Sequence, residues 1–418
     1  MTVSLEDINA AAGIIEGAVV RTPMVRAGAL SDRFGANIYL KLETLQRTGS
    51  FKDRGALVKL LSLTPDQAKR GVIAISAGNH AQGVAYHAQR LGVPATIVMP
   101  EGTPFNKVSR TQAFGARVEL FGDNINAAEP FANELAARDK LAFVHPYDDE
   151  KIIAGQGTIG VEVLADAPNL DIIVAPIGGG GLISGIATAA KAIKPDIQII
   201  GAEAELYPSM YQALHGLEPT SGGASIADGI AVKTPGALTR DIVTRLVDDI
   251  ILVDEPAIEA AIQTMLSDAK ILCEGAGAVP LAALSKHPDR FAGKTVGLIV
   301  GGANIDPRIL ASVLMRGMVR AGQMARLRIT ISDRPGALAA VSDIIGESGG
   351  NIVEILHQRL FYDLPVKLAD LDVAVETRDA NHIAEILKRL EDGGFTARSY
   401  GIPTMQVRPY IRPQDPVR

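Results

Sequence analysis

Lys52 is the residue of this chain whose type and position are best suited to covalent chemistry. It stands in the run Ser50-Phe51-Lys52-Asp53-Arg54-Gly55, after an apolar strand pattern over Asn37–Leu42 and ahead of a helical pattern through Leu57, Leu60 and Leu61. A lysine at a helix start faces the positive end of the helix dipole, which disfavours its ammonium form. The amine is then easier to deprotonate, and a neutral amine is what Schiff-base chemistry needs. Ser50 is expected to cap this helix, with Asp53 as its capping-box partner. Taken alone, the run also fits an ordinary surface lysine.

Two further signals lie between a strand pattern and a helix pattern. In Ser76-Ala77-Gly78-Asn79-His80 the backbone N–H groups at the helix start are free to meet an anion, and the turn suits a carboxylate. Gly78 allows close approach to the backbone, and Asn79 offers donors and an acceptor. Gly178, Gly179, Gly180 and Gly181, followed by Leu182, form a concave array of amides at a second helix start, suited to a phosphate. No Gly-Lys-Ser/Thr follows, so this is not the nucleoside-triphosphate loop. Nor do four consecutive glycines make a tidy dinucleotide fingerprint. Each signal alone also fits a plain turn or a loop. Together, a Schiff-base lysine, an anion turn bearing asparagine and a phosphate cradle fit one ligand, pyridoxal phosphate.

The elements that must position these residues alternate. Strand patterns at 71–76, 94–99, 117–121, 172–175, 197–202, 249–253 and 295–300 are separated by helical patterns such as 81–91 and 107–114. That alternation predicts βαβ units and open, mostly parallel sheets, an α/β fold with ligands at the carboxyl ends of the strands. The pattern changes near residue 323. Period-two strands at 326–331, 351–358 and 367–375, helices at 337–347 and 380–392, and a short strand at 396–400 give the order β-α-β-β-α-β of a ferredoxin-like α+β domain. The expected division is a catalytic part over 1–322, whose smaller lobe covers about 50–150, a second domain over 323–402, and a tail over 403–418.

These motifs resemble those of the threonine dehydratase (threonine ammonia-lyase) family, the fold type II, tryptophan synthase β-like pyridoxal phosphate enzymes. The match extends to Glu274-Gly275-Ala276-Gly277-Ala278 and Gly301-Gly302-Ala303-Asn304-Ile305-Asp306. The C-terminal domain resembles an ACT domain through Asp333-Arg334-Pro335-Gly336-Ala337-Leu338. The resemblance implies that Lys52 holds the coenzyme covalently and acts as the catalytic base. It implies that Phe51 flanks the ring, that Asn79 bonds the ring hydroxyl, and that Gly178 to Gly181 with Leu182 bind the phosphate. Ser76, Ala77, Gly78, Asn79 and His80 then hold the substrate carboxylate, and Glu274 lies near the ring. The implied reaction is β-elimination from L-threonine, giving 2-oxobutanoate and ammonia, as in the first step of isoleucine synthesis. L-serine and 3-hydroxyaspartate are the alternative substrates, and an amino-acid sensor without turnover is the non-enzymatic alternative. Asp333, Pro335 and Gly336, with Asn351, are the expected surface for an isoleucine or valine effector, and a homodimer or homotetramer is implied.

The chain also departs from the family pattern. Gly301 stands where a serine, threonine or cysteine usually meets the pyridine nitrogen. Ala77 stands where serine racemases carry a proton-moving serine. Glu203 matches one member of an acidic cation-binding pair, but Ser209 stands at the other, so no metal site is expected.

Composition narrows the rest. With 418 residues, 47% hydrophobic and 21% charged, the chain has the balance of a soluble globular protein. A net charge of -6 without a basic run argues against nucleic acid or an anionic membrane. The single cysteine, Cys273, suits a reducing cytoplasm and reads as a small buried hydrophobe. His87 reads as a helix-surface residue.

Overall fold

The computed structural model describes residues 3–358 and 365–400. The expected tail lies outside them. The chain forms two compact units, 1–306 and 307–418.

Continuous Val/Ile runs form the sheets of the first unit because helices must cover both of their faces. Val72–Ile75 and Ile172–Pro176 are buried at every position. Six strands form one sheet in the order Met24–Arg26, Asn37–Leu42, Thr295–Val300, Ile172–Pro176, Gln198–Ala204, Asp249–Val253. Only its first pair is antiparallel. A smaller, all-parallel sheet runs Arg117–Leu120, Ala95–Met99, Val72–Ile75, Ala142–Phe143. Lys52, the Ser76–His80 turn, the glycine loop and Gly301 all follow the carboxyl ends of strands in these sheets.

The helix that begins at Lys52, Lys52–Leu61, is fixed by backbone contact. A Cβ on Gly155 would stand 2.6 Å from the Gly55 Cα, and one on Gly55 would stand 2.9 Å from the Ile152 carbonyl. Helix Glu150–Asp166 therefore touches the lysine helix main chain to main chain. Beneath the contact lies a buried ion network. Arg54 donates to both carboxylate oxygens of Glu43, each at 2.8 Å, and to Glu162 at 2.7 and 2.8 Å. Lys41 donates to Glu162 at 2.5 Å and to the Thr22 carbonyl at 2.6 Å. Arg54, Lys41 and Glu43 are fully buried.

The second unit carries an antiparallel sheet in the order Asn351–Gln358, Leu368–Glu376, Met324–Ser332, Thr396–Tyr400. Helices Ala337–Glu347 and Ala380–Asp392 supply Val341, Ile345, Ile383 and Ile386 to its core. This is the expected β-α-β-β-α-β order. Among the described residues, no helix is long and apolar enough to cross a membrane.

Candidate active site

Lys52 opens its helix, but the cap is not the one the sequence suggested. Phe51 occupies the cap position without a side-chain bond, and the Ser50 hydroxyl is buried with no hydrogen-bond partner. Asp53 instead accepts from the backbone amide of Thr48 at 3.1 Å and from its hydroxyl. The loop before the lysine is thus tied back by the helix's own first turn. The Lys52 ammonium donates to the Pro146 carbonyl at 2.6 Å and lies 5.2 Å from the centre of the Phe51 ring. Its pKa falls to about 8. The physical cause is burial, which penalises the ammonium and outweighs the opposing pull of Glu274.

The neighbouring segment joins the lysine to the glycine loop. Next to Pro146, the Tyr147 ring packs so closely that a Cβ on Gly179 would fall 2.2 Å from it. Gly180 has φ +94°, a conformation that favours glycine, and caps helix Gly181–Ile193 without a side-chain bond. The first-turn amides of this helix have no intrahelical acceptor. The Gly179 carbonyl accepts from the Thr239 hydroxyl at 2.6 Å. That bond fixes the peptide with the Gly180 N–H on its opposite side. A row of amides beside a helix N-terminus is a donor set for a phosphate.

The Ser76–His80 turn divides its labour. Ser76 closes the turn, its hydroxyl accepting from the Gly78 amide at 3.2 Å. The helix Asn79–Leu91 starts without a side-chain cap, so the amides of Asn79 and His80 remain for an anion. The His80 ring does not take part. It is buried and bonds the Val144 carbonyl at 2.9 Å. Burial, and then the charge of Lys52, bring its pKa down to about 3, so the ring is neutral, with Nδ1 buried and unpartnered.

Glu274 belongs to the same cleft. Its carboxylate accepts from Asn79 Nδ2 at 2.7 Å and from the Asn304 amide at 3.1 Å. Burial, aided by the charge of Asp228, raises its pKa to about 7. Gly301 sits alongside, its carbonyl accepting from the Phe51 amide at 3.0 Å. A Cβ there would stand 3.3 Å from Phe51, and no side chain reaches the ring position from this residue. Pro146, Tyr147, Thr239 and Asn304 complete the site. None of the first three carries a sequence signal, whereas Asn304 lies inside a matched motif.

Other residues fall elsewhere. Both oxygens of Glu203 accept backbone amides, of Met210 and Tyr211, each at 2.9 Å. Among the described residues, no group of three or more histidines, cysteines, aspartates and glutamates is placed to hold a metal. Cys273 is buried, and burial pushes its thiol pKa up. His87 is not a surface residue: it is fully buried, because its helix packs that face into the lobe's core, and burial lowers its pKa to about 4. In the second unit, Asp333 to Gly336 form an exposed turn. Asn351 pairs through Glu376 with Met324, the opposite end of the strand that ends at Ser332. The two halves of the expected effector surface therefore stand about 26 Å apart along the sheet of one chain, at ~3.3 Å per residue. Within one protomer they do not form a single pocket.

Residues 15–302 match the family described as pyridoxal-phosphate dependent enzyme, and residues 325–392 match the ACT domain. An L-threonine ammonia-lyase of Thermotoga maritima is 41% identical over 96% of this chain and 100% of its own length. One of Geobacter sulfurreducens is 44% identical over 90% of this chain and 94% of its own. Among solved structures, the processed form of threonine deaminase isoform 2 from Solanum lycopersicum superposes with a TM-score of 0.70. It is 38% identical, over 74% of this chain and 86% of that one.

Proposed function

The chain belongs to the pyridoxal-phosphate dependent enzymes and carries an ACT domain, and from that premise we propose that it is an L-threonine ammonia-lyase. The observation that carries the reading is the Lys52 amine, its pKa lowered to about 8 and its Nζ held at the Pro146 carbonyl, next to the Tyr147 ring that packs on the glycine loop. Near-full-length relatives of that name support it.

The residues fit the coenzyme by the chemistry of their donors. The amides of Gly178 to Gly181 and Leu182 would hold its phosphate, Phe51 would flank its ring, Asn79 would bond its ring oxygen, and Lys52 would be its point of attachment. When bound, pyridoxal phosphate supplies an electron sink for negative charge at the substrate Cα. The protein does the rest. The turn from Ser76 through Ala77 and Gly78 to Asn79 and His80 holds the substrate carboxylate with backbone amides. Lys52 Nζ takes the Cα proton as general base, a role for which an amine of pKa near the working pH is suited. The Cα–H and Cβ–O bonds break and a Cα=Cβ bond forms; the hydroxyl takes up one proton and leaves as water, balancing the proton taken from Cα, and the released enamine is hydrolysed by water to 2-oxobutanoate and ammonia. Ala77 has no proton to give on its side of the cleft, so racemisation should be slow.

The test is keto-acid release from L-threonine, L-serine and 3-hydroxyaspartate. Threonine is expected to show the highest kcat/KM, with serine as a side substrate, because one methyl group discriminates by only about 1–3 kcal/mol. A chain that binds the coenzyme and releases no keto acid would instead be a sensor.

The depressed lysine pKa gives a pH prediction. Only the neutral amine reacts with the coenzyme aldehyde, so reconstitution of the apo-protein should quicken with rising pH. With a pKa of about 8, the neutral fraction grows about tenfold between pH 7 and 9 and then levels off. An ordinary lysine, with a pKa near 10.4, would still gain roughly twentyfold between pH 9 and 11. Stopped-flow absorbance distinguishes the two.

We further assign residues 323–402 to regulation by a small amino acid, with the turn Asp333, Pro335 and Gly336 at the effector surface and Asn351 contributing from a second copy. With it go the proposals of a dimer or tetramer and of a cytoplasmic role early in isoleucine synthesis. Isoleucine is expected to shift the threonine saturation curve by several-fold, the usual size of a coupling free energy. A curve indifferent to both isoleucine and valine would remove this assignment.

A further inference from the structure

We propose that Asn304 is a positioning residue for the coenzyme, because it fixes the direction in which the Asn79 amide faces. The proposal deepens the reading of Asn79 given above and rests on it.

The argument begins at the Thr48 carbonyl, which can only accept. Asn304 Nδ2 donates to it at 2.7 Å and donates its other hydrogen to Asn79 Oδ1, also at 2.7 Å. A flipped Asn304 amide would set oxygen against oxygen at Thr48, so its orientation is determined. Asn79 must then present Oδ1 to Asn304 and Nδ2 to the other side. There Nδ2 gives one hydrogen to Glu274 Oε1 at 2.7 Å. Protonation of Glu274 does not reverse this order, because Asn79 Oδ1 is already held by Asn304.

The second hydrogen of Asn79 Nδ2 is the one left for a ligand. It is the group the site reading assigns to the ring oxygen of the coenzyme. Glu274 closes the far end, accepting from the Asn304 backbone amide at 3.1 Å. Gly302 makes the closure possible: a Cβ there would fall 2.5 Å from Glu274 Oε1 and 3.1 Å from Asn79 Nδ2. Gly301 offers no side chain to the ring nitrogen, so the bond from Asn79 would carry more of the ring's orientation.

The experiment is a titration of the full-length apo-protein with pyridoxal phosphate, followed by visible absorbance. Asn304→Asp keeps the size and removes both donated bonds. It is expected to raise the coenzyme Kd about tenfold, the worth of one hydrogen bond to a directed group, and to shift the visible band. Asn304→Ala adds no charge and should give the same loss where the aspartate disturbs the loop. Circular dichroism and apo-protein melting report folding separately. In an Asn79→Ala background neither substitution should weaken binding further, since it acts through Asn79. Wild-type affinity and spectrum in both single variants would overturn the proposal. So would an equal loss in the Asn79→Ala background, which would place the effect in the Thr48 loop. A wild-type chain that bound no pyridoxal phosphate would sink the coenzyme reading and this proposal together.

Discussion

Lys52→Ala is expected to lose threonine turnover by at least about 10³-fold, the scale on which a positioned general base acts, together with the visible absorbance of the bound coenzyme. The two losses would share a cause, since the same nitrogen is proposed to attach the coenzyme and to move the Cα proton. Folding should survive. The Lys52 ammonium makes one hydrogen bond, to the Pro146 carbonyl, and its pKa of about 8 means that burial opposes its charge. Sign matters here: a lysine whose folded pKa is lowered below its unfolded value weakens the apo-protein at pH 7, and the penalty fades as the pH rises from about 8 toward the unfolded value. Removing the side chain removes that penalty. The alanine variant should therefore keep the wild-type circular dichroism spectrum and still bind pyridoxal phosphate weakly through the glycine loop.

The second large effect concerns stability. Arg54→Met should cost about 3–5 kcal/mol, the usual consequence of removing one partner from a buried ion network. Glu43 and Glu162 would keep only Lys41 as a cationic partner within that network. In the native protein burial would raise the Glu43 pKa, but the charge and hydrogen bonds of Arg54 hold it below its ordinary value. Its contribution is therefore present above the unfolded carboxylate pKa and lost as the pH falls. In the variant that sign reverses. With the smaller effects of Lys41 and the Thr22 hydroxyl left to oppose burial, the Glu43 pKa rises, and the deficit should shrink as the pH is lowered toward 5. Denaturant unfolding of both proteins across that range measures it. Because Arg54 is two residues from Lys52 on one helix, the variant should also lose activity.

Much of the fold can be read from short apolar runs. The longer strands of the first unit and the βαββαβ order of the second follow from period and turn residues, whereas the short edge strands Met24–Arg26 and Ala142–Phe143 carry too few residues to show a period. The site was legible wherever chemistry is written in one segment: the lysine run, the asparagine turn, the glycine loop. What the sequence withheld depends on long-range contact. Asp53 bonds Thr48 rather than pairing with Ser50, and nothing local distinguishes the two. Pro146 and Tyr147 join lysine to glycine loop through a segment with no motif. The lowered pKa of Lys52 was anticipated, but from the helix dipole, whereas burial is its main cause. His87 looked superficial because its helix shows histidine, glutamine and arginine around an alanine face. Its burial comes from neighbours distant in sequence. Asp333 and Asn351 stand close to their own motifs but at opposite ends of one strand ladder, a consequence of register.

The central claim is a covalent bond between the coenzyme and one lysine. Reduction of the coenzyme-loaded protein with borohydride, followed by proteolysis and peptide mass mapping, tests it directly. The account predicts a single pyridoxyl-modified peptide containing Lys52. Modification of another lysine, or of none, would contradict it.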